Sequence, residues 1–285
     1  MTLLESPVHT LSKKLKETNT RVKTAVVGGS VFLLLVLRGG PVGASFAAAF
    51  LASAMCWELS QIIFHLSDRV EKKFALVGTA WLVLFVNMIL HRYLLGCLIL
   101  AVLGFFTYFL LIADRHAHHL HQHFLELVCC IFVLIYTALF MAFLPLIRGE
   151  VNGTYWVLLF LLIIWVGDTA AYFAGRKYGG KRLYPLISPG KTVVGAVVGL
   201  AAGVIVAVFF QLLFFHALGF FSAVFIALIV GVSSQIGDLC ESLLKRAFGL
   251  KDISQMLPGH GGVLDRFDGI LFSLPVMFFC IQIFT

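Results

Sequence analysis

An all-α, polytopic bundle of membrane-spanning helices is the fold this sequence predicts, and three observations predict it. Of 285 residues, 60% are hydrophobic and 12% charged, where soluble domains run nearer half and a quarter. The mean hydropathy is +1.00, so the chain could not cover its own surface in water. The apolar residues fall in continuous runs without strict alternation, which favours helices over a β-barrel. Lysine and arginine concentrate on alternate connecting segments, as they do around spans with a cytoplasmic side.

Taken in order, residues 1–21 are polar and read as a cytoplasmic tail, with a pattern from Val8 to Leu15 that suits a short interfacial helix. Basic residues up to Lys23 followed by the run Ala25 to Leu37 imitate a secretion leader; the apolar runs downstream favour a retained first span. Nine apolar segments follow, at about 22–37, 42–64, 74–90, 93–112, 124–147, 154–174, 192–215, 218–237 and 263–284. Most approach the ~20 residues that cross a hydrocarbon core. Charged and glycine-rich stretches crowd the later part, which divides the chain into a scaffold half, 22–150, and a catalytic half with cytoplasmic loops, 151–285.

Nine spans place the termini on opposite sides. With the N-terminus inside, only Arg38, Arg92 and Arg148 lie outside, and the other 18 of the 21 Lys and Arg lie inside. The opposite orientation would violate the positive-inside bias, so the expected topology is N-in, C-out. The net charge of +7 then reads as membrane-flanking charge facing anionic lipid, with no nucleic-acid partner expected. None of the six cysteines forms a C-x-x-C pair; they read as small apolar residues, not as disulfides or a zinc site.

The chemistry gathers late in the chain. Asp238 closes the eighth apolar run, and Asp265 and Asp268 open the ninth. Residues three apart share a helical face, so Asp265 and Asp268 can point together into the bundle, and Glu241 repeats that spacing after Asp238. Carboxylates at a membrane boundary are costly unless paired or bound to a cation. An oxygen-only set suits a hard ion such as Mg2+. Lys245, Arg246 and Lys251 add positive charge beside them, and Gly259, Gly261 and Gly262 allow backbone N–H groups to approach an anion at a helix start. Acids for a cation, bases for an anion and glycines for close approach describe a metal–phosphate site. The competing reading, simple ion pairing with Lys245, Arg246 and Arg266, would serve for one aspartate better than for the whole set.

The stretch from Ser242 through Lys245-Arg246, Lys251-Asp252, Pro258 and His260-Gly261-Gly262 to Asp265-Arg266 and Asp268 resembles the signature of the phosphatidate cytidylyltransferases (CDP-diacylglycerol synthases). Trp165-Val-Gly167-Asp168-Thr169 and Ser188-Pro189-Gly190-Lys191-Thr192 also resemble segments of that family, with Thr169 where many relatives carry Ser. The resemblance runs from Trp165 to Gly269. It implies that CMP passes from CTP to phosphatidate, giving CDP-diacylglycerol and pyrophosphate, with Mg2+ and room for a second cation. The implied setting is a bacterial cytoplasmic membrane with the site facing the cytoplasm; a homodimer is compatible with it. On this reading Asp238 and Asp265 are the principal metal ligands, and Asp268 is a ligand or orients one. Lys245, Arg246 and Arg266 hold phosphate groups. Ser188, Lys191 and Thr192 meet nucleotide or lipid phosphate. Ser242 and Lys251 belong to the substrate-binding segment, Asp168 joins the site, and His260 with Gly261 and Gly262 shapes the anion pocket.

Three other patterns carry less. Gly190-Lys191-Thr192 imitates a P-loop, but Pro185 stands where that motif needs glycine. The cluster of His116, His118, His119, His121 and His123 lies on a short inner loop away from the glycine-rich motifs, matches no zinc spacing and reads as ordinary loop. A cation-coupled transporter would place its acids near the midplane and show an internal repeat, and neither is visible. A cytidylyltransferase acting on an isoprenoid-ether lipid phosphate remains compatible with the pattern.

The charge asymmetry generates a labelling test. Cysteine introduced at Lys181 should react with an impermeant reagent only from the cytoplasmic face, and cysteine at Asn152 only from the opposite face. The inverse result would reverse the topology and remove the site from cytosolic nucleotide.

Overall fold

The computed structural model of the protein describes residues 26–63, 76–85, 93–112, 119–250, 254, 256 and 261–284. Each of the nine apolar runs contains helix. The helices are α1 (Val26–Arg38), α2 (Gly40–Ile63), α3 (Leu76–Phe85) and α4 (Leu94–Leu111). A continuous stretch, Leu120–Gly149, joins α5 (Leu120–Val133), a π-helical segment (Leu134–Leu139) and α6 (Phe140–Gly149). Then come α7 (Gly153–Tyr178), α8 (Val193–Leu213), α9 (Phe220–Ala247) and α10 (Leu264–Phe284). Among the described residues, 7 helices are long and apolar enough to cross a membrane, while α1 and α3 are shorter. Leu100, Leu110, Leu111 and Phe221 project from the bundle surface, as suits side chains solvated by acyl chains.

Two features depart from the sequence expectation. The segment between α7 and α8 is a small hairpin, β1 (Arg182–Tyr184) against antiparallel β2 (Ser188–Thr192), with Arg182 opposite Thr192 and Tyr184 opposite Ser188. Gly179 and Gly180 take φ of +55° and +88°, which ends α7 and turns the chain into β1. The second departure is α9, which does not stop at Asp238 but continues to Ala247. Asp238, Glu241 and Lys245 recur at helical spacing, so the polar turns form one face, and Lys245 on it pairs across to α10. Hydropathy ends where charge begins, but helix does not.

Small residues set the packing. On α8, Gly195, Gly199 and Gly203 form a stripe against α7: a Cβ on Gly199 would lie 2.8 Å from the Gly167 carbonyl oxygen, and one on Gly195 2.7 Å from that of Ala171. Close backbone approach of this kind replaces the hydrophobic drive that lipid cannot supply. The same device joins α9 to α10, where a Cβ on Gly237 would meet the Asp268 carbonyl oxygen at 2.8 Å. α10 packs against α9, α6, α7 and α2, and α8 against α7 and α9.

The bundle has two chemically different ends. At one, Arg148 donates from Nε to the Val36 carbonyl at 2.9 Å and from Nη2 to that of Leu37 at 3.1 Å, capping α1. There Gln282 also donates to Glu150 at 2.7 Å. The other end gathers the last turns of α9, the first turns of α8 and α10, and the hairpin. Arg38 and Arg148 are thus separated from Lys191, Lys245 and Arg246, as the charge count requires.

The α7–α8 contact is open to direct test. Gly199→Val should lower the thermal midpoint of the detergent-solubilised protein, at a cost of about 1–3 kcal/mol from overpacking. Gly104→Val on α4, whose added Cβ meets nothing within 4 Å, should leave the midpoint near that of the parent. Equal midpoints for the two variants would refute the close-contact role.

Candidate functional site

Gly237 and Gly269 bring the α9 and α10 backbones into contact, and the residues beside them carry the acids. Asp238, Glu241 and Asp268 each offer a carboxylate oxygen, and these atoms lie within 4.8 Å of one another. Asp268 Oδ1 accepts from the Gly269 N–H at 2.7 Å. One turn below, Lys245 bridges the two helices: its Nζ lies 2.6 Å from Glu241 Oε2 and 2.9 Å from Asp265 Oδ1. The other Asp265 oxygen, Oδ2, accepts the Gly262 N–H at 2.9 Å. Asp265 and Asp268 therefore do face the same neighbour, α9, but meet different groups on it.

The hairpin delivers a second cationic group. Lys191 Nζ lies 2.6 Å from Asp238 Oδ2. Asp168 on α7 lies within electrostatic reach of both Asp238 and Lys191, because the adjoining Gly167 lets α7 close against α8. The side chain of Asp238 is 42% exposed and that of Glu241 1%. The site thus has an open mouth, at Asp168, Lys191 and Asp238, and a closed floor at Glu241.

This donor set fits a hard divalent cation. Five carboxylates gather around two ammonium groups, and Glu241 Oε1 is buried without a hydrogen-bond partner among the described residues. A buried carboxylate oxygen left without a donor is costly, and a cation ligated through oxygen removes that cost.

The remaining candidates divide. Thr192 is buried, and its hydroxyl caps α8 by accepting the Gly195 N–H at 3.0 Å, so it orders the hairpin-to-helix junction beside Lys191. Ser188 is half-buried at the start of β2. Arg246 is exposed and reaches the carbonyls of Ile187 and Leu250 at 3.4 and 3.3 Å, tying the hairpin to the end of α9. Ser242 is half-buried on α9, and Arg266 is exposed at the start of α10. Gly261 has φ of +85°. A Cβ on Gly262 would stand 3.0 Å from Asp265 Oδ2 and 3.1 Å from Glu58 Oε2. Both glycines thus serve a crowded turn at the α10 start. Lys251 and His260 lie outside the described residues, as do the N-terminal tail, His116 and His118. His123 is buried with Nε2 2.9 Å from the Phe109 carbonyl oxygen, a packing role between α4 and α5.

Glu58 is the residue whose place the sequence did not disclose. It is 0% exposed on α2, yet its carboxylate accepts the N–H groups of Val263 at 2.8 Å and Leu264 at 2.9 Å, and the Ser254 hydroxyl. It caps α10 from another helix, with its charge at the positive end of the dipole. The available signal was its isolation, a single carboxylate inside the apolar run 42–64.

Comparison with known proteins places this geometry in context. The model of the Cytidylyltransferase family matches residues 19–284. The chain is 34% identical over 281 residues to a phosphatidate cytidylyltransferase of Brucella suis, covering 93% of this chain and 94% of that one. It is 31% identical over 266 residues to one of Staphylococcus saprophyticus, covering 90% and 96%. It is 42% identical over 124 residues to one of Bacillus subtilis, covering 44% and 46%.

The cap gives a stability prediction. Glu58→Ala strands two buried N–H groups and a hydroxyl, and should destabilise the protein by about 3 kcal/mol or more. Thermal unfolding in detergent, with limited proteolysis of the segment before α10, measures it. An unchanged midpoint together with unchanged cleavage would show that α10 does not depend on α2 for its start.

Proposed function

The chain belongs to the cytidylyltransferase family, and from that premise we propose that it transfers CMP from CTP to phosphatidate, giving CDP-diacylglycerol and pyrophosphate. The observation that carries this reading is the convergence of Asp238, Glu241 and Asp268 within 4.8 Å, with Lys191 and Lys245 paired against them. A site that moves a nucleotidyl group between anions needs such a combination of oxygen ligands and ammonium groups.

In the reaction a phosphatidate oxygen forms a bond to the α-phosphorus of CTP while the bond to the β-phosphate oxygen breaks. The nucleophile is already an anion near neutral pH, so proton removal contributes little and alignment with charge neutralisation contributes most. In this proposal Asp238, Glu241 and Asp268 hold a divalent cation, Mg2+ by the hardness of the donors, with room for a second cation among Asp168 and its neighbours. When bound, the metal neutralises phosphate charge and stabilises the departing pyrophosphate. Lys191, at the open mouth, can exchange its contact with Asp238 for a substrate phosphate. Lys245, clamped by Glu241 and Asp265, presents a fixed, largely buried positive charge in the last turn of α9. Asp265, with both oxygens engaged, acts by holding Lys245 and the Gly262 turn. Arg246 and Arg266, with Ser188 and Ser242, line the approach for the substrate anions, and the family resemblance adds Lys251 and His260 to the residues that bind substrate.

The bilayer assigns the rest of the proposal. In this proposal the chain crosses a bacterial inner membrane nine times with its N-terminus inside, which would set the site at the cytoplasmic surface, where CTP is dissolved. The acyl chains of phosphatidate remain in the hydrocarbon.

The decisive assay uses purified protein in detergent, labelled CTP and defined lipid phosphates, with and without Mg2+. We expect CDP-diacylglycerol from phosphatidate and loss of turnover on chelation. Asp268→Asn should lower kcat by about 100-fold or more while the protein still inserts. Turnover with an isoprenoid-ether phosphate and none with phosphatidate would replace the lipid assignment. Near-normal turnover of Asp268→Asn would remove that residue from the cation site.

A further inference from the structure

Tyr136 presents a chemical anomaly at the centre of the bundle. It is 4% exposed, and its hydroxyl has no hydrogen-bond partner among the described residues. Buried polar groups are nearly always satisfied, and an exception in a folded protein calls for a ligand, an ion or a catalytic role. The ring is held firmly: it stacks on Phe132 at 5.4 Å and meets Phe140 edge-on at 5.8 Å. Rotation of the whole side chain to find a partner would therefore break its packing.

The surroundings identify which groups lie near the hydroxyl. Phe140 packs edge-on against Phe272 of α10 at 5.9 Å. The two helices run in the same direction, since Glu150 beyond the end of α6 is bonded to Gln282 near the end of α10. One turn back from the Phe140–Phe272 contact, Tyr136 stands level with Asp268. Asp268, Glu241 and Asp238 all lie within electrostatic reach of the phenol. Tyr136 also occupies the π-helical segment Leu134–Leu139. Such a segment shifts the side chains that follow it around the helix, and such turns are frequent at functional sites. A buried hydroxyl without a partner among the described residues, Tyr136, thus stands beside the carboxylate cluster of Asp238, Glu241 and Asp268.

We propose that Tyr136 is a positioning residue of the cation site, its hydroxyl donating a hydrogen bond to the Asp268 carboxylate when a divalent cation is held by Asp238, Glu241 and Asp268. This rests on the cation reading given above and adds to it a residue from the first half of the chain. A carboxylate that binds a metal through one oxygen is oriented by a donor to the other, and such supporting contacts contribute to metal affinity.

Tyr136→Phe removes the hydroxyl and keeps the ring contacts. Thermal unfolding of the full chain in detergent is followed while Mg2+, and separately Mn2+, is titrated without nucleotide or lipid. Without metal the variant should be at least as stable as the parent, because an unsatisfied buried hydroxyl has been removed. The metal concentration that gives half-maximal stabilisation should rise about tenfold, the typical weight of a hydrogen bond to a charged group. Tyr155→Phe, at the opposite end of the bundle, should leave both quantities unchanged. If Mg2+ stabilises parent and Tyr136→Phe at the same concentration, Tyr136 is a packing residue and the proposal fails while the cation site stands. If neither metal stabilises the parent, the cation reading fails and this proposal with it.

Discussion

The contact between Gly237 and Gly269 governs the rest of the site. A Cβ at Gly269 would stand 2.5 Å from the Ser234 hydroxyl, and one at Gly237 2.6 Å from Phe272 Cβ, so neither position can carry a side chain without separating α9 from α10. Separation would move Asp238 and Glu241 away from Asp268 and stretch the Lys245 bridge to Asp265. The electrostatic cost of collecting carboxylates is thus met by a packing arrangement. Two helices pressed together without side chains hold charges that would otherwise move apart.

The two parts of the chain, 22–150 and 151–285, meet at the start of α10. The acids and lysines of the cluster come from residues 151–285, on α7, the hairpin, α9 and α10. The start of α10, however, is terminated by a carboxylate from α2. Glu58 satisfies two backbone N–H groups that the α10 start leaves open, and the turn it fixes is the one whose Gly262 N–H meets Asp265. The first half therefore contributes to the geometry of the site through a buried hydrogen-bond network, where each unmet donor would be expensive.

The two glycine seams also explain the polarity of the site. The α7–α8 seam brings Asp168 and Lys191 to the rim, and the α9–α10 seam brings Glu241 and Asp268 to the floor. Exposure falls from Asp238 to Glu241 along a single helix face. Lys191 lies at the rim, where water still screens its charge. The deeper groups lie where screening is weak and each charge counts for more.

Much of this was legible in the sequence. Hydropathy located helix in all nine apolar runs, because a chain in lipid must satisfy its backbone internally and leaves long apolar segments as the trace. Positive charge separated the two ends of the bundle. The spacing of Asp238 and Glu241, and of Asp265 and Asp268, placed each pair on one helix face, since a three-residue interval is a local property. What tertiary structure alone decided is which faces meet. That Lys245 belongs to Glu241 and Asp265, that Lys191 reaches Asp238 from a hairpin, and that Asp265 sits one turn from the carboxylate cluster all depend on interhelical register. No local spacing encodes that register. Glu58 lies 205 residues from Val263, whose N–H it accepts, and Tyr136 is an aromatic residue in an apolar run until α10 is laid beside it. Their roles arise from burial, which turns a polar atom into one that must find a partner.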